Sequence, residues 1–367
     1  MLSFAAGFRN HLHLKLRIKL TFWLSCRYAA AIMSNLNANN LEKHGFADLG
    51  PNQVLLAVES AGFRCDGSLL PLNSYENRVY QVGLEDRSPV IAKFYRPGRW
   101  SDEAIQEEHD FTLELYHQEL PVIAPLQGQE GQTLLHFAGH RFALFPRCGG
   151  RAPELDDPAH LAMLGRFLGR AHAIAAVRPF RHRPLLDVGH FAVDSRQYLL
   201  ENTIIPGDLI QAYETLTADL IIRIKACYQR AGTVSKLRLH GDCHAGNIIW
   251  TDMGPCLVDF DDVRMGPAIQ DLWMFLSGER NDMTAGLDTL LSAYTEFYDF
   301  DLRELHLLEA LRTMRMLHHA AWLARRWDDP AFPLAFPWFD SNRYWETHIL
   351  SLREQAALLD EPPLSWR

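Results

Sequence analysis

Two short apolar runs, Val79–Val82 and Val90–Tyr95, flank the polar tetrad Glu85–Ser88, and this order predicts a β-hairpin. A helix is expected after Ser101, which has the chemistry of an N-cap and is followed by Asp102 and Glu103 in the first turn. At 100° per residue, Ala104, Ile105, Phe111 and Leu115 share one face of that helix. Glu108 falls within the apolar face and Glu107 falls to its side. Pro121 is expected to end the helix, and Gln132–His136 and Arg141–Phe145 read as two further strands. From residue 148 onward the apolar spacing is mostly helical. The exception is a strand pair, Ile248–Trp250 and Pro255–Asp259, joined by Thr251–Gly254. The chain therefore reads as an α+β protein of two lobes. A small sheet-rich lobe over 46–147 precedes a larger helical lobe over 148–367, with Pro146–Gly150 as the connection. Such a junction leaves a cleft, where ligand sites commonly form.

Composition narrows the class. Of 367 residues, 48% are apolar, enough for a sizeable core. A net charge of −9 argues against nucleic acid as the main partner, because a phosphate backbone needs basic surface. The six cysteines include no C-x-x-C pair and read as reduced thiols of an intracellular protein. No acidic residue precedes Glu42, while Arg9, Lys15, Arg17, Lys19 and Arg27 are basic. The apolar stretch Leu20–Met33 is broken by Arg27 and falls short of the ~20 residues a membrane span needs. Residues 1–45 read as a disordered or mis-started extension, with Met33 as the start, in preference to a targeting segment. No membrane partner is expected.

The candidate chemistry lies at Leu239–Ile249. His240, Asp242 and Asn247 stand in the spacing H-x-D-x4-N of a kinase catalytic loop. There, an Asp takes the proton of the attacking hydroxyl and an Asn holds a magnesium ion. After an apolar run comes Leu257-Val258-Asp259-Phe260-Asp261-Asp262, which places Asp259 at a strand end within reach of the same ion. Asp242 is thus the candidate base, and Asn247 and Asp259 are the candidate Mg²⁺ ligands. Asp261 and Asp262 are expected to face solvent or hold the loop. Lys93, in Val90-Ile91-Ala92-Lys93, sits in a pattern like the V-A-I-K whose Lys contacts nucleotide phosphates and pairs with a helix Glu. Glu108 is the chosen partner, because a carboxylate on a buried face needs one; Glu107 is held in reserve. No G-x-G-x-x-G precedes Lys93. The polar turn Asn73–Arg78 takes its place, with Ser74 offering a hydroxyl and an amide to ATP. Asp271 is expected to brace the catalytic loop, and Cys243, His172, His318 and His319 to fill the interior.

Other readings of these residues differ in what they leave unexplained. A transition-metal site built from His240, Asp242 and His244 accounts for neither Asn247 nor Asp259. A nucleotide-binding regulator without turnover fits poorly with a complete set of Lys93, Asp242, Asn247 and Asp259. The aromatic run Phe332–Phe339 suits either a peptide groove or a closed pocket for a small alcohol.

The motifs also resemble a known group. Leu239–Ile248 and the helical stretch Leu164–His172 are similar to the signatures of the aminoglycoside phosphotransferase and choline kinase superfamily, which has a protein-kinase-like fold. Pro71–Tyr80, Lys93–Pro97, Ala321–Trp327 and Asp329–Pro333 resemble the stress response kinase A family within it. The similarity covers roughly residues 48–363 and leaves out the first 45. It implies a cytoplasmic, ATP- and Mg²⁺-dependent kinase of protein Ser/Thr hydroxyls, and a monomer is expected. It further implies Asp242 as proton acceptor, Asn247 and Asp259 as Mg²⁺ ligands and Ser74 at the ATP site. A kinase of a small-molecule alcohol is the alternative, since the ATP half of the site is common to both.

Overall fold

The computed structural model describes residues 45–46 and 48–366, so the expected N-terminal extension lies, through residue 44, outside the described residues. After helix α1 (Pro51–Ser60), the first lobe is built from β1 (Cys65–Leu72), β2 (Arg78–Leu84), β3 (Val90–Phe94), α2 (Asp102–His117), β4 (Leu135–Phe137) and β5 (His140–Pro146). The strands form one antiparallel sheet in the order β1-β2-β3-β5-β4. The hairpin β2–β3 forms in the register Val79↔Lys93 and Val82↔Val90. Because side chains alternate across a strand, β3 serves both faces. Ala92 and Phe94 join Val82, Phe142 and Leu144 in a core that α1 covers with Val54, Ala57 and Val58. Lys93 and Tyr95 turn to the opposite face, where Tyr95 packs with Ile105 of α2 and Ala143.

Ser101 caps α2 as expected, its hydroxyl accepting from the Ala104 amide at 3.2 Å. The helix ends earlier than expected. It closes at His117, and the chain turns through Glu119 in the left-handed region (φ 57°) before Pro121 is reached. Pro121 already belongs to an extended segment, its carbonyl accepting from the Leu257 amide at 3.0 Å.

The second lobe comprises α3 (Pro158–Ala175), α4 (Asp194–Glu201), α5 (Ile210–Ala231), α6 (Arg280–Tyr294), α7 (Leu308–Arg325), the short α8 (Ala331–Ala335) and α9 (Asn342–Asp360). Two antiparallel ribbons are set into it, β6 (Leu237–Leu239) with β9 (Arg264–Gly266), and β7 (Ile248–Thr251) with β8 (Gly254–Leu257). Helices α3 and α6 approach so closely that a Cβ at Gly165 would stand 2.3 Å from the Leu290 carbonyl oxygen. The connection between lobes is pinned to β7, with the Arg151 and Trp250 amides and carbonyls pairing at 3.0 and 2.7 Å. Among the described residues, no helix is long and apolar enough to cross a membrane.

The aromatic run Phe332–Phe339 corrects its expectation. Phe332 and Phe339 are fully buried and Phe336 nearly so, all within the core of the helical lobe. Their rings pack on Tyr75, Trp322, Trp327 and Trp345 instead of lining an open groove.

Candidate active site

The segment after β6 is held open as a loop by one buried carboxylate. Asp271 accepts from the amides of His240 (2.7 Å) and Gly241 (2.9 Å), and lies 3.3 Å from His172 Nε2. This is the bracing role expected of it. His172 in turn contacts the Tyr294 hydroxyl at 2.8 Å, which anchors the loop to α3 and α6. Gly241 has φ +84°, and a Cβ there would meet the Asp262 carbonyl oxygen at 2.2 Å, so the loop passes the 259–262 segment at a distance only glycine permits. The Asn247 side-chain amide donates to the Asp242 carbonyl (3.0 Å), and the Asn247 carbonyl accepts from the Val258 amide (3.0 Å). The loop and the exit of β8 are thereby one unit.

Asp242 is held by Arg315 of α7, whose guanidinium donates to its carboxylate, and by His244 Nε2 at 3.4 Å. Burial pushes the Asp242 carboxyl up, but the charge of Arg315 and the His244 contact outweigh it and hold the group well below the usual carboxylate range. The candidate base is therefore ionised.

Lys93 gathers the remaining carboxylates. Its Nζ lies 3.2 Å from Glu108, 3.3 Å from Asp259 and 3.2 Å from Asp261. Burial alone would lower the ammonium, yet Asp261, Glu108 and Asp259 together hold it well above the ordinary lysine range. Glu108 is thus the partner of Lys93. Glu107 has a different task, accepting from the amides of Arg181, His182 and Arg183 at 2.6–3.0 Å and so fixing α2 to the helical lobe. Asp259 sits two residues past β8 in left-handed backbone (φ 61°), with 56% of its side chain exposed. Of the two expectations for Asp261, facing solvent or holding the loop, the second is met. The residue is 4% exposed, tied to Lys93 and Arg99, and those cations with Arg183 hold its carboxyl below the ordinary range against the effect of burial. Asp262 pairs with Arg99 (3.0 Å) and Arg264 (2.7 Å), so both residues hold the loop.

Sequence reasoning missed three arginines. Arg315 reaches the base, and Arg99 binds the 261–262 pair. Arg183, whose side chain is fully buried, donates to the Ala104 carbonyl, the Asp261 carbonyl and Glu108 Oε2, each at 2.7 Å, and stacks over Trp100. It joins α2, the Asp259 segment and the Lys93 pair at one point. The available sequence signal was Glu108 itself, since a buried carboxylate facing two elements has room for a second cation. Ser74 is half-buried in the turn between β1 and β2. Among the described residues, no hydrogen bond or ion pair joins it to the Lys93 cluster.

The donor set suits a hard divalent cation. Asp259 presents an exposed carboxylate, and Asn247, whose amide nitrogen is bonded to the Asp242 carbonyl, has its oxygen left as ligand atom. The transition-metal alternative does not assemble. His240 Nε2 is bonded to the Val258 carbonyl (3.0 Å), while His244 Nδ1 accepts from the Gly246 amide (2.9 Å) and its Nε2 faces Asp242.

Known proteins resemble this chain over most of its length. The phosphotransferase enzyme family matches residues 68–308. Stress response kinase A of Escherichia coli K12 is 46% identical over 319 residues, covering 87% of this chain and 96% of that protein. The serine/threonine protein kinase RdoA of Salmonella typhimurium LT2 is also 46% identical, over the same shares of each chain. Among solved structures, the amicoumacin kinase hAmiN aligns with a TM-score of 0.64 at 18% identity, over 84% of this chain and 94% of that one. A microcompartment-associated aminopropanol kinase aligns at 0.62 and 18%, over 83% and 96%. These two likenesses bear on the fold alone, which is the α+β, two-lobed architecture expected from the sequence. The chain belongs to the phosphotransferase enzyme family, in the stress response kinase A group, and is an ATP-dependent phosphotransferase.

Proposed function

We propose that this chain is a cytoplasmic, monomeric serine/threonine protein kinase that uses ATP and Mg²⁺. The observation that carries the reading is the convergence of Glu108, Asp259 and Asp261 on Lys93, beside a base held ionised by Arg315. Asn247 and Asp259 would hold the Mg²⁺, which would supply charge neutralisation to the triphosphate. Lys93 binds the phosphates, and Glu108 keeps the ammonium in place. Ser74 contributes its hydroxyl and amide to the nucleotide. Asp242 orients the acceptor hydroxyl, whose oxygen attacks the γ-phosphorus as the bond to the β-bridging oxygen breaks. The hydroxyl proton passes to the Asp242 carboxylate and ADP leaves. Proton acceptance of this kind is worth about 10²–10⁴ in rate. A protein acceptor is supported by the 46% identity to the serine/threonine kinase RdoA.

The test is transfer of labelled γ-phosphate from ATP, with and without Mg²⁺, by the wild type and Asp242→Asn. Acceptors are the protein itself, a generic basic protein and a panel of small alcohols. Label on protein Ser or Thr, lost in the variant while ATP still binds, is the expected result. Label confined to a small alcohol would replace the protein acceptor, and undiminished transfer by Asp242→Asn would remove the base.

A further inference from the structure

The turn 73–78 has no glycine, unlike the flexible loops that cover phosphates in kinases. It is instead tied side chain by side chain to the far end of the chain. Glu76 accepts from the Trp322 indole (2.7 Å) and from Arg326 Nη2 and Nε (2.7 and 3.1 Å). Arg96 donates to the carbonyls of Glu76 (2.8 Å) and Tyr75 (3.1 Å), and it also pairs with the carboxylates of Asp329 (2.8 Å) and Glu76 (3.2 Å). Arg78 approaches the same Asp329 at 3.4 Å. Asp329 is itself fixed, buried and accepting from the Ala331 amide at 3.1 Å. The Tyr75 ring packs on Phe336 with centroids 4.8 Å apart.

The other end of this network is the candidate base. Arg315 and Trp322 are seven positions apart on α7, which returns to nearly the same azimuth after two turns, about 10 Å along the axis. One face of one rigid helix therefore touches Asp242 with Arg315 and Glu76 with Trp322, and Arg326 follows at its C-terminal end. Arg99 closes the circuit, reaching Glu76 (3.8 Å) and the Asp261–Asp262 pair.

We infer that Trp322, Arg326 and Asp329 are nucleotide-positioning residues. From the helical lobe they latch the 73–78 turn over the triphosphate, so that ATP retention is set by the helix that also holds the base. The inference rests on the proposed reading of that turn as part of the ATP site. These residues act through Glu76 and Arg96 and touch no reacting atom. Their loss frees the turn from two charge-assisted hydrogen-bond clusters, and a change of about tenfold or more in ATP affinity is expected.

The experiment measures ATP dissociation constants by calorimetry, with the non-hydrolysable analogue AMP-PNP and Mg²⁺, on the full chain and on Trp322→Phe, Arg326→Gln and Asp329→Asn. Hydrogen exchange of residues 73–78, KM for ATP and KM for the acceptor are followed in parallel. Trp322→Phe removes the indole N–H together with three ring atoms but keeps an aromatic ring against Phe332 and Phe336, and Arg326→Gln, which leaves that ring packing untouched, guards against loss of the fold. Weaker nucleotide binding, with faster exchange confined to the turn and KM raised for ATP but not for the acceptor, is the expected pattern. Folded variants that bind nucleotide like the wild type would overturn the latch and leave the ATP-site reading standing. Equal losses in both KM values with a lowered unfolding temperature would overturn it as a purely structural effect. A wild type that binds no nucleotide would overturn the ATP-site reading and the latch with it.

Discussion

The guanidinium of Arg315 donates to the carboxylate of Asp242, so the group proposed to receive a proton rests in the resting enzyme against a fixed positive charge. That charge keeps the base ionised despite its burial, and it also makes the base weaker. Removing it should trade one property for the other. In Arg315→Gln, the Asp242 carboxyl rises, and the acidic limb of the kcat–pH profile should move up by about one to three pH units. Arg315→Lys should return most of the way. A profile that stays in place would show that Arg315 has no hold on the base.

Arg183 should be among the least replaceable residues. Its guanidinium satisfies two carbonyls and Glu108 at a point without solvent, and Met in its place leaves all three without that donor. A loss of about 3–5 kcal/mol is expected, the range for breaking a buried pair from one side. Urea unfolding of Arg183→Met measures it. A loss under ~1 kcal/mol would mean that Lys93 alone suffices for Glu108.

Glu304 gives the fold a pH dependence of its own. It is buried, accepts from the Ile269 amide at 2.9 Å, and so supports the turn that carries Asp271. Burial raises its carboxyl from the usual glutamate range to about 7, the backbone hydrogen bonds opposing only part of that rise. The folded protein therefore binds the proton more tightly than the unfolded chain. The contribution is present in full below the unfolded value and is lost as pH rises through about 7. Its size is on the order of 3 kcal/mol. Unfolding free energies at pH 5 and pH 8 should differ less in Glu304→Gln than in the wild type. Equal slopes would contradict the assignment.

Gly241→Ala should cost both stability and transfer. The substitution meets a carbonyl oxygen at 2.2 Å and a φ of +84°, and neither can relax without parting the catalytic loop from the Asp262 segment. More than about 2 kcal/mol is expected, with phosphoryl transfer lost before ATP binding. Thermal unfolding and a nucleotide-binding measurement on one sample separate the two effects.

What the sequence determined by itself was local. His240, Asp242 and Asn247 lie within one loop, and Asp259 lies one ribbon further on, so their spacing alone marks them as the candidate site. Lys93 and Glu108 were legible because one strand and the helix after it have fixed periodicities, and the helical face distinguishes Glu108 from Glu107. The tertiary structure decided everything that depends on which element lies opposite. Arg315 stands in a helix 73 positions beyond Asp242, and no spacing rule relates them. Asp261 reads as one more acidic residue on a loop until Arg99 and Lys93 enclose it. Phe332, Phe336 and Phe339 have the composition of a groove and the burial of a core, because α8 and the loop after it fold back against Trp322 and Trp345. Ion pairs between distant segments and the direction a loop's aromatic rings face arise from packing, which one-dimensional patterns do not encode.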